Sequence, residues 1–264
     1  MVRERNILDL AQPIGAMEMS KSLIATVYGP SGSGKTTFAA SATSKDSYGL
    51  LIDMGEQGTA SIIDKKYLDV IRIDDLQKLN KVILALKTDQ KYKTVIFDSM
   101  QTLMGIVIQN VRNITEFAFV PSKSLNQKDW GQVSYYMCNF ITEINNIAKE
   151  AGKNVIYICD EREKDAPDGD SIFVPNLMGS VERSLVGRSD CVVYTYIKRV
   201  QEGEGSAKTF KTLFCANIGP SSSLVAKVRK PKTINVDSVI VDPTWDKLTG
   251  IINRVVNGRI PVNP

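Results

Sequence analysis

Residues 29–36 read Gly29-Pro30-Ser31-Gly32-Ser33-Gly34-Lys35-Thr36 and fit G-x-x-x-x-G-K-[ST] with no mismatch. An apolar run at 23–27 precedes them and a helix-compatible segment follows, which is the strand–loop–helix setting this P-loop motif requires. Glycines here let successive backbone N–H groups turn toward a triphosphate without Cβ clashes. Lys35 then neutralises the β- and γ-oxygens and Thr36 offers its hydroxyl to Mg²⁺. Thr37 extends the cradle into the helix start, whose dipole favours an anion. The nine residues from Gly29 to Thr37 are thus predicted to bind a nucleoside triphosphate, without a choice between ATP and GTP.

Two further carboxylate positions suit phosphoryl transfer. The run at 94–97 leads into Asp98 and Ser99, an apolar strand ending in a carboxylate. Set beside the P-loop strand, Asp98 would hold Mg²⁺ directly or through water; an aspartate in that place is also a common helix cap. The run at 50–52 ends in Asp53, with Glu56 close behind. A carboxylate at the tip of the strand next to the P-loop strand can orient and deprotonate the attacking water. Glu56 is the better placed, because it lies just past the strand end, within reach of a γ-phosphate. A plain surface turn is the other reading of these residues.

Composition narrows the chemistry. The chain has 264 residues, 43% of them hydrophobic, enough for a full α/β core. No histidine occurs, which excludes Ser-His-Asp chemistry, His-ligated metal and imidazole acid–base catalysis. Carboxylates, lysine, arginine and an oxygen-held metal remain. A net charge of +4 with both signs mixed is compatible with a nucleic-acid partner and does not require one. Cys138, Cys159, Cys191 and Cys215 stand singly in apolar stretches, which reads as buried thiols in a reducing compartment. Arg3, Glu4 and Arg5 are followed by no apolar h-region, and no apolar run approaches about 18 residues. A soluble, cytoplasmic protein with no membrane partner is expected.

Positioning such residues takes a sheet. Short β-branched runs recur at 23–28, 49–53, 70–73, 94–98, 154–159 and 190–197, separated by segments with helical spacing. This βαβ rhythm predicts a mostly parallel sheet covered by helices. Leu76, Leu79, Ile83 and Leu86 define one helix, with Asp74 or Asp75 as cap. Val133, Met137, Phe140, Ile144 and Ile147 define another, with Asp129 as cap, Gln132 as its reciprocal partner and Gly152 as the stop. After Asp190, strand follows strand around a turn at 202–206, predicting an antiparallel hairpin on the sheet edge. Asp242 as cap, Pro243 at the first helical position, and Trp245, Leu248, Ile252 and Val255 on one face signal a last helix. The expected division is an arm at 1–20, a core at 21–232, and a C-terminal strand and helix at 233–264.

VYGPSGSGKTTFAA, LLIDMGE, TVIFDSMQTL and NVIYICDERE, in that order and spacing, resemble the RecA-like ATPase core. The likeness is greatest to small phage nucleotide-binding proteins of AAA type with a core-only RecA-like fold, several of which are single-strand annealing recombinases. It implies a RecA-like P-loop NTPase core with an antiparallel C-terminal extension, ATP and Mg²⁺ as cofactors, and a ring or filament of identical subunits. A phage-encoded member would work in the host cytoplasm. Two features depart from the pattern. Asp53-Met54-Gly55-Glu56 is one residue longer than the family's D-x-E, so the choice of base between Asp53 and Glu56 stays open. Asp160 stands where relatives carry Gln or His as γ-phosphate sensor. The stretch AKVRKP resembles the K-x-R element that reaches into the neighbouring subunit's ATP site, which would make Lys227 and Arg229 catalytic in trans. Spaced i and i+2 on an extended segment, they fit a clamp on transition-state charge; a solvated face is the ordinary alternative.

In the RecA-like pattern two connections line a DNA channel. Their counterparts here are 118–128, with Phe119, Lys123 and Lys128, and 161–175, with Arg162, Lys164 and Phe173. Cations interleaved with aromatics suit a phosphate backbone with stacked bases. The acidity of Glu161, Glu163, Asp165, Asp168 and Asp170 opposes that use of the second. The resulting expectation is an ATP-dependent, single-stranded-DNA-binding recombinase or annealing protein, DNA-stimulated, with ATP hydrolysed at subunit interfaces and a single-strand DNA-binding protein as a further partner. A nucleotide-dependent switch or assembly ATPase without a DNA substrate is the alternative. A small-molecule kinase is disfavoured, since the region after Asp98 has no arginine-bearing lid.

Overall fold

The computed structural model describes residues 22–55, 58–112, 125–165, 169–202, 209–229 and 237–256. Its first half runs β1 (Ile24–Gly29), α1 (Lys35–Ala40), β2 (Gly49–Asp53), a 3₁₀ turn (Gly58–Ile62), β3 (Leu68–Arg72), α2 (Leu76–Leu86), β4 (Thr94–Asp98) and α3 (Met100–Val111). There follow α4 (Gln127–Ala151), β5 (Asn154–Asp165), β6 (Ser171–Pro175), α5 (Gly179–Arg188), β7 (Cys191–Glu202), β8 (Thr209–Asn217), β9 (Lys227–Val228), β10 (Val239–Val241) and α6 (Trp245–Val256).

One sheet carries the order β10-β8-β7-β1-β5-β4-β2-β3, with β6 attached to β5 and β9 to β7. From β7 to β3 every pairing is parallel, while β8, β10, β6 and β9 pair antiparallel. The fold is therefore the expected mixed α/β one, a mostly parallel sheet flanked by helices with antiparallel C-terminal strands, consistent with a P-loop NTPase. Every residue of β1, β2 and β4 is buried, as strands covered on both faces must be. On one face Phe97 stacks on Tyr157 at 5.6 Å and meets Phe140 edge-on at 5.1 Å, under α3 and α4. On the other, Phe38 of α1 packs against Trp245 of α6, and the Trp245 N–H donates to Ser41 Oγ at 2.8 Å. The C-terminal strand and helix are thus built into the same sheet and core.

Four local expectations are corrected. Neither β4 nor β2 adjoins the P-loop strand: β5 intervenes between β1 and β4, and β2 lies beyond β4. The stretch 161–175 is no open loop, because β5 runs on to Asp165 and pairs with β6 from Glu161↔Pro175 to Asp165↔Ser171. Its β5 half is polar on both faces, while β6 brings Phe173 and the buried Val174 against the core. Asn126 caps α4, and Asp129 is the return partner of the capping box, its carboxylate accepting the Asn126 N–H at 3.0 Å. Lastly, α6 starts at Trp245 with the Thr244 hydroxyl accepting the Lys247 N–H, while Asp242 sits before it at φ 48°. Asp75 caps α2 through the Lys78 N–H, and Gly152 ends α4 at φ 63°. All four cysteines are free, and burial pushes the Cys159 and Cys191 thiols well above their ordinary range. Among the described residues no helix is long and apolar enough to cross a membrane.

Candidate nucleotide site

β1 delivers the chain to the loop under tight steric control. Gly29 has φ 152°, and a Cβ there would fall far inside contact distance of the Thr195 carbonyl oxygen on β7. Glycine alone lets β7 run this close. One layer up, Ser33 and Thr195 share a buried hydroxyl–hydroxyl hydrogen bond of 2.7 Å, so β7 supports the loop from beneath. Gly34, at φ 88°, caps α1 without a side-chain acceptor. An acceptor there would compete with phosphate oxygens for the first-turn N–H groups.

The cations and carboxylates then converge. Lys35 Nζ donates to the carbonyl oxygens of Gly29 (2.9 Å) and Pro30 (3.0 Å) and pairs with Asp160 Oδ1 at 2.9 Å. The Thr36 hydroxyl donates to Asp98 Oδ2 at 2.8 Å. They line a cavity of about 410 Å³ with the loop residues, Gly58, Ser61 and Gln101, and Phe214 closes it on the side of β8. A roomier apolar groove of about 530 Å³ between α2, α3 and α4 holds none of the P-loop. The chemistry selects the smaller one.

Thr36 and Asp98 suit a hard divalent cation. Mg²⁺ prefers one or two protein oxygens completed by substrate phosphates and water. Among the described residues no group of three or more His, Cys, Asp or Glu side chains could hold a metal alone. The ion would therefore be shared by Thr36, Asp98 and the nucleotide, its charge offsetting that of the phosphates. Gly58 lies directly against the pair: a Cβ there would stand 3.4 Å from Thr36 Oγ1 and 3.6 Å from Asp98 Oδ2.

Asp53 is buried and turned to structural work. Its Oδ1 accepts the Gly55 N–H at 2.8 Å, and Oδ2 lies 3.5 Å from Arg72 Nε. The carboxylate thereby fixes the turn leading out of β2. Glu56 lies outside the described residues.

Asp160 ends the part of β5 that flanks the P-loop. Besides Lys35 it takes Gln101 Nε2 at 2.8 Å, and its own N–H donates to Gln101 Oε1 at 3.1 Å. Sequence reasoning passed over Gln101. The signal was its spacing, three residues past Asp98 on the first turn of α3, which points it back over the strand ends.

Lys227 and Arg229 stand elsewhere. Val228 pairs with Cys191 and Cys191 with Ala25, four residues before Gly29. They occupy the opposite end of the sheet, about 13 Å below the loop, and do not enter this chain's own site. Arg229 donates to the Gly187 carbonyl at 2.7 Å and approaches Asp190 at 3.8 Å. Burial, then the neighbouring Arg229 charge, holds the Lys227 ammonium below its ordinary value.

The cations read as DNA contacts are unevenly placed. Arg162 is bound to the buried Glu182 at 2.6 Å and to the Leu177 carbonyl, and Lys164 lies 3.6 Å from the same Glu182. Phe173 stacks on Tyr194, centroids 6.1 Å apart. Lys128 is exposed on the first turn of α4. Phe119 and Lys123 lie outside the described residues.

The family model of the AAA domain matches residues 21–230, which run from the lead into β1 to just past β9. No curated protein matches the chain.

Proposed function

Because this chain belongs to the AAA domain family, we propose that it is an Mg²⁺-dependent ATPase acting on single-stranded DNA as a phage-type recombination or annealing protein. The observation that carries the ATPase reading is the convergence of Lys35, Thr36 and Asp98 on one cavity. Lys35 would neutralise the β/γ-phosphates, Thr36 and Asp98 would hold Mg²⁺, and Glu56 would activate the attacking water. The DNA reading rests on the RecA-like resemblance and on two hairpins, β5–β6 and β7–β8, that project past the P-loop on either side of β1. The second exposes Lys198, Arg199 and Lys211. Steady-state ATPase assays with and without single-stranded DNA test it. Turnover should rise with DNA of any sequence, and DNA affinity should fall steeply with salt. Absent binding and absent stimulation would leave the switch or assembly ATPase. One observation favours that second reading: Arg162 and Lys164 spend their charge on Glu182.

ATP shared between subunits gives Lys227 and Arg229 their role. Head-to-tail association would bring the lower end of one sheet toward the loop end of the next. Lys227→Ala/Arg229→Ala should then bind ATP yet hydrolyse it poorly, and mixing it with Glu56→Gln protein should restore part of the activity. Some sites in a mixed oligomer pair an intact Glu56 with intact cations from the neighbour; neither variant alone contains such a site. Co-assembled mixtures with no activity beyond the sum of the two would eliminate the shared site.

A further inference from the structure

The cavity has two unlike ends. Asp98 on β4, Gln101 on α3 and Asp160 on β5 gather polar groups at one end, beside Ile158 of β5, whereas Phe214 on β8 makes the other. The P-loop on β1 lies between them, since β4 and β8 stand two strands to either side of β1. Four strand spacings separate them, about 19 Å, room for an extended nucleoside triphosphate. Lys35, Thr36 and Asp98 would fix the phosphates and their cation at the polar end, which leaves the β8 end for the base.

We infer that Phe214 is the face on which the nucleobase stacks, an assignment that rests on the ATP-binding reading of this site. Its ring edge lies 3.5 Å from where a Gly34 Cβ would be, directly over the start of α1. Phe214 is 43% exposed and Phe210, further along the same strand, 70%, so this face of β8 presents aromatic surface next to the cavity. Ile197, the cross-strand partner of Phe214 on β7, is 44% exposed and shares its face of the sheet, widening the apolar shelf. A base laid on this shelf covers apolar surface, while its ribose and phosphates run back along Gly34 and Lys35. Every base has a π-face, so stacking of this kind gives affinity with little sequence of its own to read.

Titration calorimetry with Mg·ATP and with inorganic tripolyphosphate separates the two ends. Phe214→Ala should weaken ATP about 5- to 150-fold, the range of one lost aromatic–base stack, and leave tripolyphosphate affinity unchanged. Phe214→Tyr should keep wild-type ATP affinity, and GTP should follow ATP through all three proteins. ATP affinity unmoved in Phe214→Ala, with the wild type binding normally, overturns the stacking role and spares the ATP site. Equal losses for ATP and tripolyphosphate overturn it too, since the ring would then be holding up the loop. A wild type that binds neither probe overturns the ATP reading and this assignment with it.

Discussion

Lys35→Ala is expected to weaken Mg·ATP binding a hundredfold or more and to abolish turnover. The ammonium makes charge-assisted hydrogen bonds worth roughly 1.5–3 kcal/mol each, so losing two of them to a triphosphate costs about 3 kcal/mol or more. A second effect adds to the first. Asp160 Oδ1 is paired with Lys35 at 2.9 Å and lines the same cavity; without the lysine it presents an uncompensated negative charge to the phosphates. Lys35→Ala/Asp160→Asn should accordingly recover part of the lost affinity while remaining inactive. Calorimetry of the three proteins measures both effects, with a thermal melt as the check on folding. Unchanged affinity and turnover in Lys35→Ala would remove the P-loop assignment.

The second large effect is expected at Glu56. Glu56→Gln should still bind ATP but hydrolyse it about 10²- to 10⁴-fold more slowly, the usual cost of losing a general base. Asp53→Asn should behave differently. Its carboxylate accepts the Gly55 N–H, which an asparagine oxygen can still do, and faces the exposed Arg72, so the change acts on the turn and its ion pair, at about 1 kcal/mol of stability or less. Single-turnover hydrolysis and a melting curve for each variant separate the two carboxylates. Tight ATP binding with abolished chemistry in Asp53→Asn, and not in Glu56→Gln, would transfer the base role to Asp53.

Much of this architecture was legible because its signals are local. The runs at 49–53 and 94–98 coincide with β2 and β4, since an unbroken apolar stretch closed by a carboxylate encodes a buried strand and its end. The octapeptide at 29–36 likewise carries its own geometry. Strand neighbourhood is another matter: β5 enters between β1 and β4 from over 50 residues downstream of β4, and no periodicity encodes which strand an edge will accept. For the same reason the hairpin at 161–175 passed for a loop. Its first half, Glu161–Asp165, is polar on both faces, so alternation, the usual mark of a strand, is missing there although those residues pair with 171–175. Asn126 was overlooked as the cap of α4 because Asp129, an equally good capping type, stands one turn later; only the reciprocal bonds decide between them. Phe214 belongs to the site through tertiary placement alone.

Gly29 is a glycine for the sheet before it is one for phosphate. β7 passes so near that any side chain there would strike the Thr195 carbonyl whether or not a nucleotide binds. Selection for folding and selection for ligand binding thus act on the same atom from opposite sides. Glycine at the head of the motif is therefore required by the sheet alone, whatever the loop above it binds.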